Sequence, residues 1–136
     1  MESNKLKEIT RKTANTLFGG GIKMDPPFQL WREFDSELAK DMSLHITGKL
    51  YSRNIISLQE RQMVAVAALA SLGKPDELKL HINGALNVGV EPRKVAEVLI
   101  QISTYAGVPA MNEGLTILKD ILIELNQWPL ATLDSK

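Results

Sequence analysis

Apolar residues recur along this chain at helical spacing, and no segment shows the alternation of a strand. Over residues 3–17, Leu6, Ile9, Thr13, Thr16 and Leu17 fall toward one side and predict a modest amphipathic helix. "FGGGIKMDPP" then breaks the pattern with three glycines and a Pro-Pro pair, which predicts a loop. That loop reads either as a hinge and connection or as a segment folding over a pocket. From about Phe28 toward Tyr51, the residues Trp31, Phe34, Leu38, Met42 and Ile46 keep an i, i+4 spacing and predict one long second helix.

The punctuation sharpens further along. "SLQE", Ser57 to Glu60, is a capping box, in which side chain and backbone satisfy each other's free N–H groups. The helix it opens, "LQERQMVAVAALASL", runs to Gly73 and is apolar all round between Met63 and Ala70. Such a helix needs cover on every side, which predicts assembly through helices. "GKPDELKLHINGALNVG" follows, with Pro75 at a first helical position and Gly89 as the stop. Its inward stripe is Leu78, His81, Ile82, Ala85 and Leu86. "VEPRKVAEVLIQISTYAG" repeats the grammar between Pro92 and Gly107, with Val95, Val98, Leu99, Ile102 and Tyr105 as its stripe. Pro109 starts a last helix through Ala110, Leu115, Leu118, Leu122 and Leu125, and "QWPLATLDSK" is a tail. The expectation is a single all-α domain over residues 1–136 with about six helices.

Charge and composition narrow the partners. Lys plus Arg and Asp plus Glu are 16 each, so there is no basic footprint for nucleic acid or an anionic membrane surface. The absence of cysteine removes disulfides, thiolate metal sites and thiol catalysis. The charged N-terminus has no signal-peptide h-region, and no apolar run nears the roughly 20 residues of a membrane helix. A cytoplasmic, soluble protein is expected.

His81 is the one polar side chain on its stripe, and Glu77 precedes it by one helical turn. Two readings stand. In one, a carboxylate beside an imidazole holds one tautomer and tunes a general acid or base. In the other, His81 is a boundary residue with an exposed partner. His45 and His81 have no metal-ligand spacing, so no metal is expected. Arg53 and Arg61 flank the entry to the apolar helix, where a guanidinium can grip a carboxylate or simply face solvent. Gln62 in the first turns of that helix is a donor or acceptor for a pocket, or solvated. Tyr105 is a core aromatic or a hydroxyl at a site.

From Ser52 to about Leu118 the signposts "SRNIISLQER", "ALASLGKPDELKLHINGALNVGV" and "VAEVLIQISTYAGVPA" resemble the carboxymuconolactone decarboxylase family. The resemblance implies the alkylhydroperoxidase D-like fold, with N-terminal helices in residues 1–50, a family core at about 52–125, and assembly as trimers or hexamers. The peroxidase branch of that superfamily carries Cys-x-x-Cys-x-x-x-His with a glutamate twelve residues upstream. Here those positions hold Lys74, Glu77, His81 and Gln62. Without a thiolate there is no sulfenic acid or disulfide to cycle, so thiol peroxidase chemistry is excluded.

The decarboxylase branch remains. Its namesake reaction, in aromatic breakdown, turns γ-carboxymuconolactone into the β-ketoadipate enol-lactone without a cofactor, because the conjugated lactone is its own electron sink. The resemblance therefore implies a small anionic substrate and no cofactor. His81 is expected to donate or relay the proton and Glu77 to orient it. Arg61, with Arg53, is expected to bind a carboxylate, Gln62 to polarise a carbonyl or position a water, and Tyr105 to lend a hydroxyl near the same mouth. The competing expectation is a non-enzymatic oligomeric member that binds a small molecule or a partner.

Overall fold

In the computed structural model, which describes residues 2–134, the chain folds into seven α-helices and one π-helical segment. In order they are α1 (Glu2–Phe18), α2 (Pro27–Phe34), α3 (Ser36–Ser43) running directly into the π-helical Leu44–Leu50, α4 (Leu58–Leu72), α5 (Pro75–Asn87), α6 (Pro92–Ala106) and α7 (Val108–Glu124). Among the described residues there is no strand, so the all-α expectation holds. The last two residues of the predicted tail, Ser135 and Lys136, lie outside the described residues.

The second half follows its local signals closely. Ser57 Oγ accepts from Glu60 N–H at 3.0 Å, while Ser57 N–H donates to Glu60 Oε1 at 2.8 Å. Hydrogen bonding from Ser57, its backbone N–H first and its side chain second, holds the Glu60 carboxyl below the usual carboxylate range. Gly73 ends α4 in the left-handed region at φ 68°, as a C-terminal glycine does without a Cβ penalty. Pro75 and Pro92 open α5 and α6, each in the first turn. The stripes of α4 to α7 meet in one core that includes Val66, Leu78, Ile82, Leu99, Ile121 and Leu122. On the far side of α4, Val64 and Leu72 stay 62% and 68% exposed.

The first half departs from the expected single helix over 28–51. The chain breaks at Asp35, whose backbone is extended at φ −159° and ψ 106°. Asp35 N–H closes α2 on the Trp31 carbonyl at 2.9 Å, and its carboxylate caps α3 by accepting from Leu38 N–H at 3.0 Å. A side-chain acceptor at that point competes with a continuous helix and starts a new one. The break also rotates the supposed stripe out of register: Phe34 is 85% exposed and Leu38 51% exposed.

α5 is used on two sides, not one. Besides its predicted stripe, Leu80, Asn83 and Gly84 are buried, because α1 packs across α5 opposite the core. The glycine loop is tied to this same helix. Ile22 N–H donates to Asn83 Oδ1 at 3.0 Å, Asn83 Nδ2 donates to the Gly20 carbonyl at 3.2 Å, and Asn87 Nδ2 donates to the Leu17 and Gly20 carbonyls at 2.7 and 2.9 Å. Gly21 sits at φ 75° hard against the Asn83 amide, where a Cβ would collide. The glycines thus serve close approach: two asparagines one turn apart clamp the loop and the end of α1 onto α5.

Candidate functional site

That clamp leaves a cavity of about 630 Å³ between α1, the α2 arm, the π-helical segment and the middle of α5. The volume is in the range of small-molecule sites. Its wall is mostly apolar, with Phe18 from α1, Phe28 and Trp31 from α2, Leu44 and Ile46 from the π-helical segment, and Leu80 from α5. His81 opens onto this space, half-buried, with the edge of Phe18 against its ring at a centroid distance of 6.0 Å and an angle of 81°.

Behind the ring lies Gln62, fully buried at 0% exposure. His81 Nδ1 donates to Gln62 Oε1 at 2.9 Å. A buried acceptor on Nδ1 fixes the tautomer: the proton stays on Nδ1, and Nε2 keeps its lone pair for a ligand. The apolar surroundings disfavour the imidazolium, so burial pushes the His81 pKa below its ordinary 6.5. The ring is therefore neutral at neutral pH.

Gln62 carries a cost of its own. Its Nε2 is buried with no hydrogen-bond partner, a loss of about 1–3 kcal/mol for an amide donor. Space for the amide comes from Gly84 on α5, where an added Cβ would lie 3.0 Å from Gln62 Oε1. Glycine inside a helix costs about 1 kcal/mol against alanine. Both penalties are spent at one point, the amide that holds the histidine.

The other residues picked out by the sequence are placed unevenly. Glu77 lines the same cavity one turn before His81, but it is exposed and the ring's hydrogen bond goes to Gln62 instead. Arg61 stands behind the wall: its guanidinium lies over Tyr51, itself a wall residue, at 6.0 Å, and Nη2 donates to the Arg53 carbonyl at 2.9 Å. It braces the loop ahead of α4 and is not among the wall residues. Arg53 contributes that carbonyl, and its exposed side chain is not brought to the wall either. Tyr105 is 82% exposed at the end of α6, away from the cavity lining. Conversely, the wall contains three cations that the sequence reading passed over, Lys7, Arg11 and Lys40. The i, i+4 pair Lys7–Arg11 was the available signal, continued by Ala14 and Phe18 on one face of α1.

Comparison with known proteins bears on the part of the site built from α3, the π-helical segment, α4 and α5. Residues 36–120 match the family model described as the carboxymuconolactone decarboxylase family. Over 97 residues the chain is 29% identical to a 4-carboxymuconolactone decarboxylase of Acinetobacter baylyi, covering 71% of this chain and 72% of that protein. It is also 29% identical over 80 residues to an uncharacterized 15.0 kDa protein of Paracoccus denitrificans, covering 57% of this chain and 59% of the relative. Gln62, Glu77 and His81 fall inside the matched span, whereas α1 and α2 lie before it.

Proposed function

The chain belongs to the carboxymuconolactone decarboxylase family, and on that premise we propose that it is a cofactor-independent decarboxylase of a small anionic lactone, with His81 handling the proton. The observation that carries the reading is the imidazole itself, neutral, locked through Nδ1 to Gln62 and lining a mostly apolar cavity. The relative from Acinetobacter baylyi that is named a 4-carboxymuconolactone decarboxylase supports the reaction class.

The chemistry follows from where charge moves. A carboxylate brought into the cavity loses water, which favours its departure as CO2. The electron pair it leaves spreads through the conjugated lactone to the carbonyl oxygen, so the substrate supplies the sink. What the protein must return is one proton to carbon. A carboxylate arriving beside Nε2 favours the imidazolium, so His81 takes up a proton as the substrate binds. Once CO2 has left, the imidazolium gives that proton to the carbanionic carbon and becomes neutral again. Gln62 keeps the ring oriented through the cycle, accepting from Nδ1–H in both protonation states.

The test is turnover of 4-carboxymuconolactone by the purified protein in the presence of a chelator, followed by CO2 release. Release of one CO2 per lactone consumed is expected. Binding of the lactone with no CO2 released would leave the protein a binding member of the family and remove the decarboxylase reading.

A further inference from the structure

The cavity wall is not uniform along its length. Along α1 the lining includes Lys7, Arg11, Ala14 and Phe18, spaced i, i+4, i+7 and i+11, with Thr10 and Asn15 beside them. Phe18 marks one end, edge-on to His81. At 1.5 Å per residue, the Arg11 backbone lies about 10 Å along α1 from Phe18, and that of Lys7 about 16 Å. Helical side chains lean toward the N-terminus, so both cations reach away from His81 rather than back toward it. Lys40 of α3 adds a third positive charge to the wall, while the wall's one acidic residue, Glu77, sits one turn from His81. The rest of the wall is mostly apolar, with Asn15 and Thr47 among its polar exceptions, and α2, which supplies Phe28 and Trp31 to it, has no buried residue of its own.

We propose that this cavity takes an elongated dicarboxylic acid: the departing carboxylate is borne by a conjugated lactone against His81, whose carbonyl takes up the electron pair as CO2 leaves, and the retained carboxylate lies at least about 10 Å away toward Arg11 and Lys7, with an apolar stretch against Phe28 and Trp31. The assignment of the departing end rests on the reading of His81 given above. The grip on the retained end does not involve Arg53 or Arg61. In the namesake lactone both carboxylates sit on one small ring system, so that molecule can be turned over at His81 without reaching this grip, and the preferred substrate is a longer one.

After CO2 leaves, such a substrate becomes a monoacid with its lactone ring at His81, and phenylpentanoate imitates the length and charge of that product with a phenyl ring in place of the lactone. Its binding is compared by calorimetry with that of phenylacetate, which is too short, and phenylpentanol, which lacks the charge. Phenylpentanoate is expected to bind at least ten-fold more tightly than either. Arg11→Gln and Lys7→Gln are exposed helix substitutions, and together they are expected to weaken phenylpentanoate at least ten-fold while leaving phenylpentanol unchanged. In a Trp128→Phe chain, phenylpentanoate is expected to alter the fluorescence of Trp31. Equal affinity for acid and alcohol, preference for the short acid, indifference to the two substitutions, or no binding of any probe overturns the proposal. Turnover of the lactone is scored separately. A chain that decarboxylates it but shows no length or charge preference keeps the histidine chemistry and loses this substrate, and the reverse result does the opposite.

Discussion

His81→Asn is expected to lower kcat by about 10²–10⁴ with KM little changed, the usual contribution of a positioned general acid or base. That is a loss of about 3–5 kcal/mol of transition-state stabilisation. Asparagine is shorter, polar and uncharged, so it can still bond to Gln62 while having no proton to give to carbon. The ring is half-buried at a cavity wall and not in the apolar core, so the variant is expected to fold. Circular dichroism and a melting curve close to wild type would establish that. Unchanged turnover would take His81 out of the mechanism.

Gln62→Glu is expected to reverse the direction of the His81 shift. Wild-type His81 titrates below 6.5 because burial opposes the charged ring. A carboxylate at the position of Gln62 Oε1, 2.9 Å from Nδ1, places an opposite charge where it favours the imidazolium, and the ring then titrates above 6.5. Stability should change with it. In wild type the unfolded chain binds the proton more readily than the folded one, so the His81 contribution falls as pH drops through 6.5. In the variant the folded chain binds it more readily, so the contribution is fully present at low pH and is lost as pH rises through the raised pKa. Melting temperatures of the two proteins plotted against pH should therefore diverge with opposite slopes. Gln62→Leu is the control: it removes the acceptor, frees the tautomer and misaligns the ring, for which about a hundredfold loss of kcat is expected. Parallel melting curves for wild type and Gln62→Glu would mean that Gln62 does not govern the histidine.

How legible this was in the sequence depended on the range of the interaction. Caps and stops are local, and Ser57, Gly73, Pro75 and Pro92 could be read directly because their partners lie within one turn. The break at Asp35 was equally local, an acidic N-cap ahead of Ser36 and Glu37. It was masked because the apolar period from Trp31 to Ile46 ran straight across it. The site was less legible because its parts come from distant segments. Glu77 and His81 are adjacent by spacing, yet the ring turns inward to Gln62, nineteen residues away in sequence, where antiparallel α4 and α5 meet. Asn83 and Asn87 carry no local signal of their role, because their carbonyl partners lie more than sixty residues upstream. Lys7 and Arg11 were passed over because one amphipathic helix was assigned one useful side. α1 has two: Leu17 is fully buried, while Phe18 and Arg11 border the cavity.

Nitrogen NMR of the imidazole of the ligand-free protein, across a pH series, reads the tautomer and the charge of His81 together. The account predicts a proton on Nδ1, none on Nε2 at neutral pH, and a titration midpoint below 6.5. A proton resident on Nε2, or a midpoint at or above that value, would contradict it.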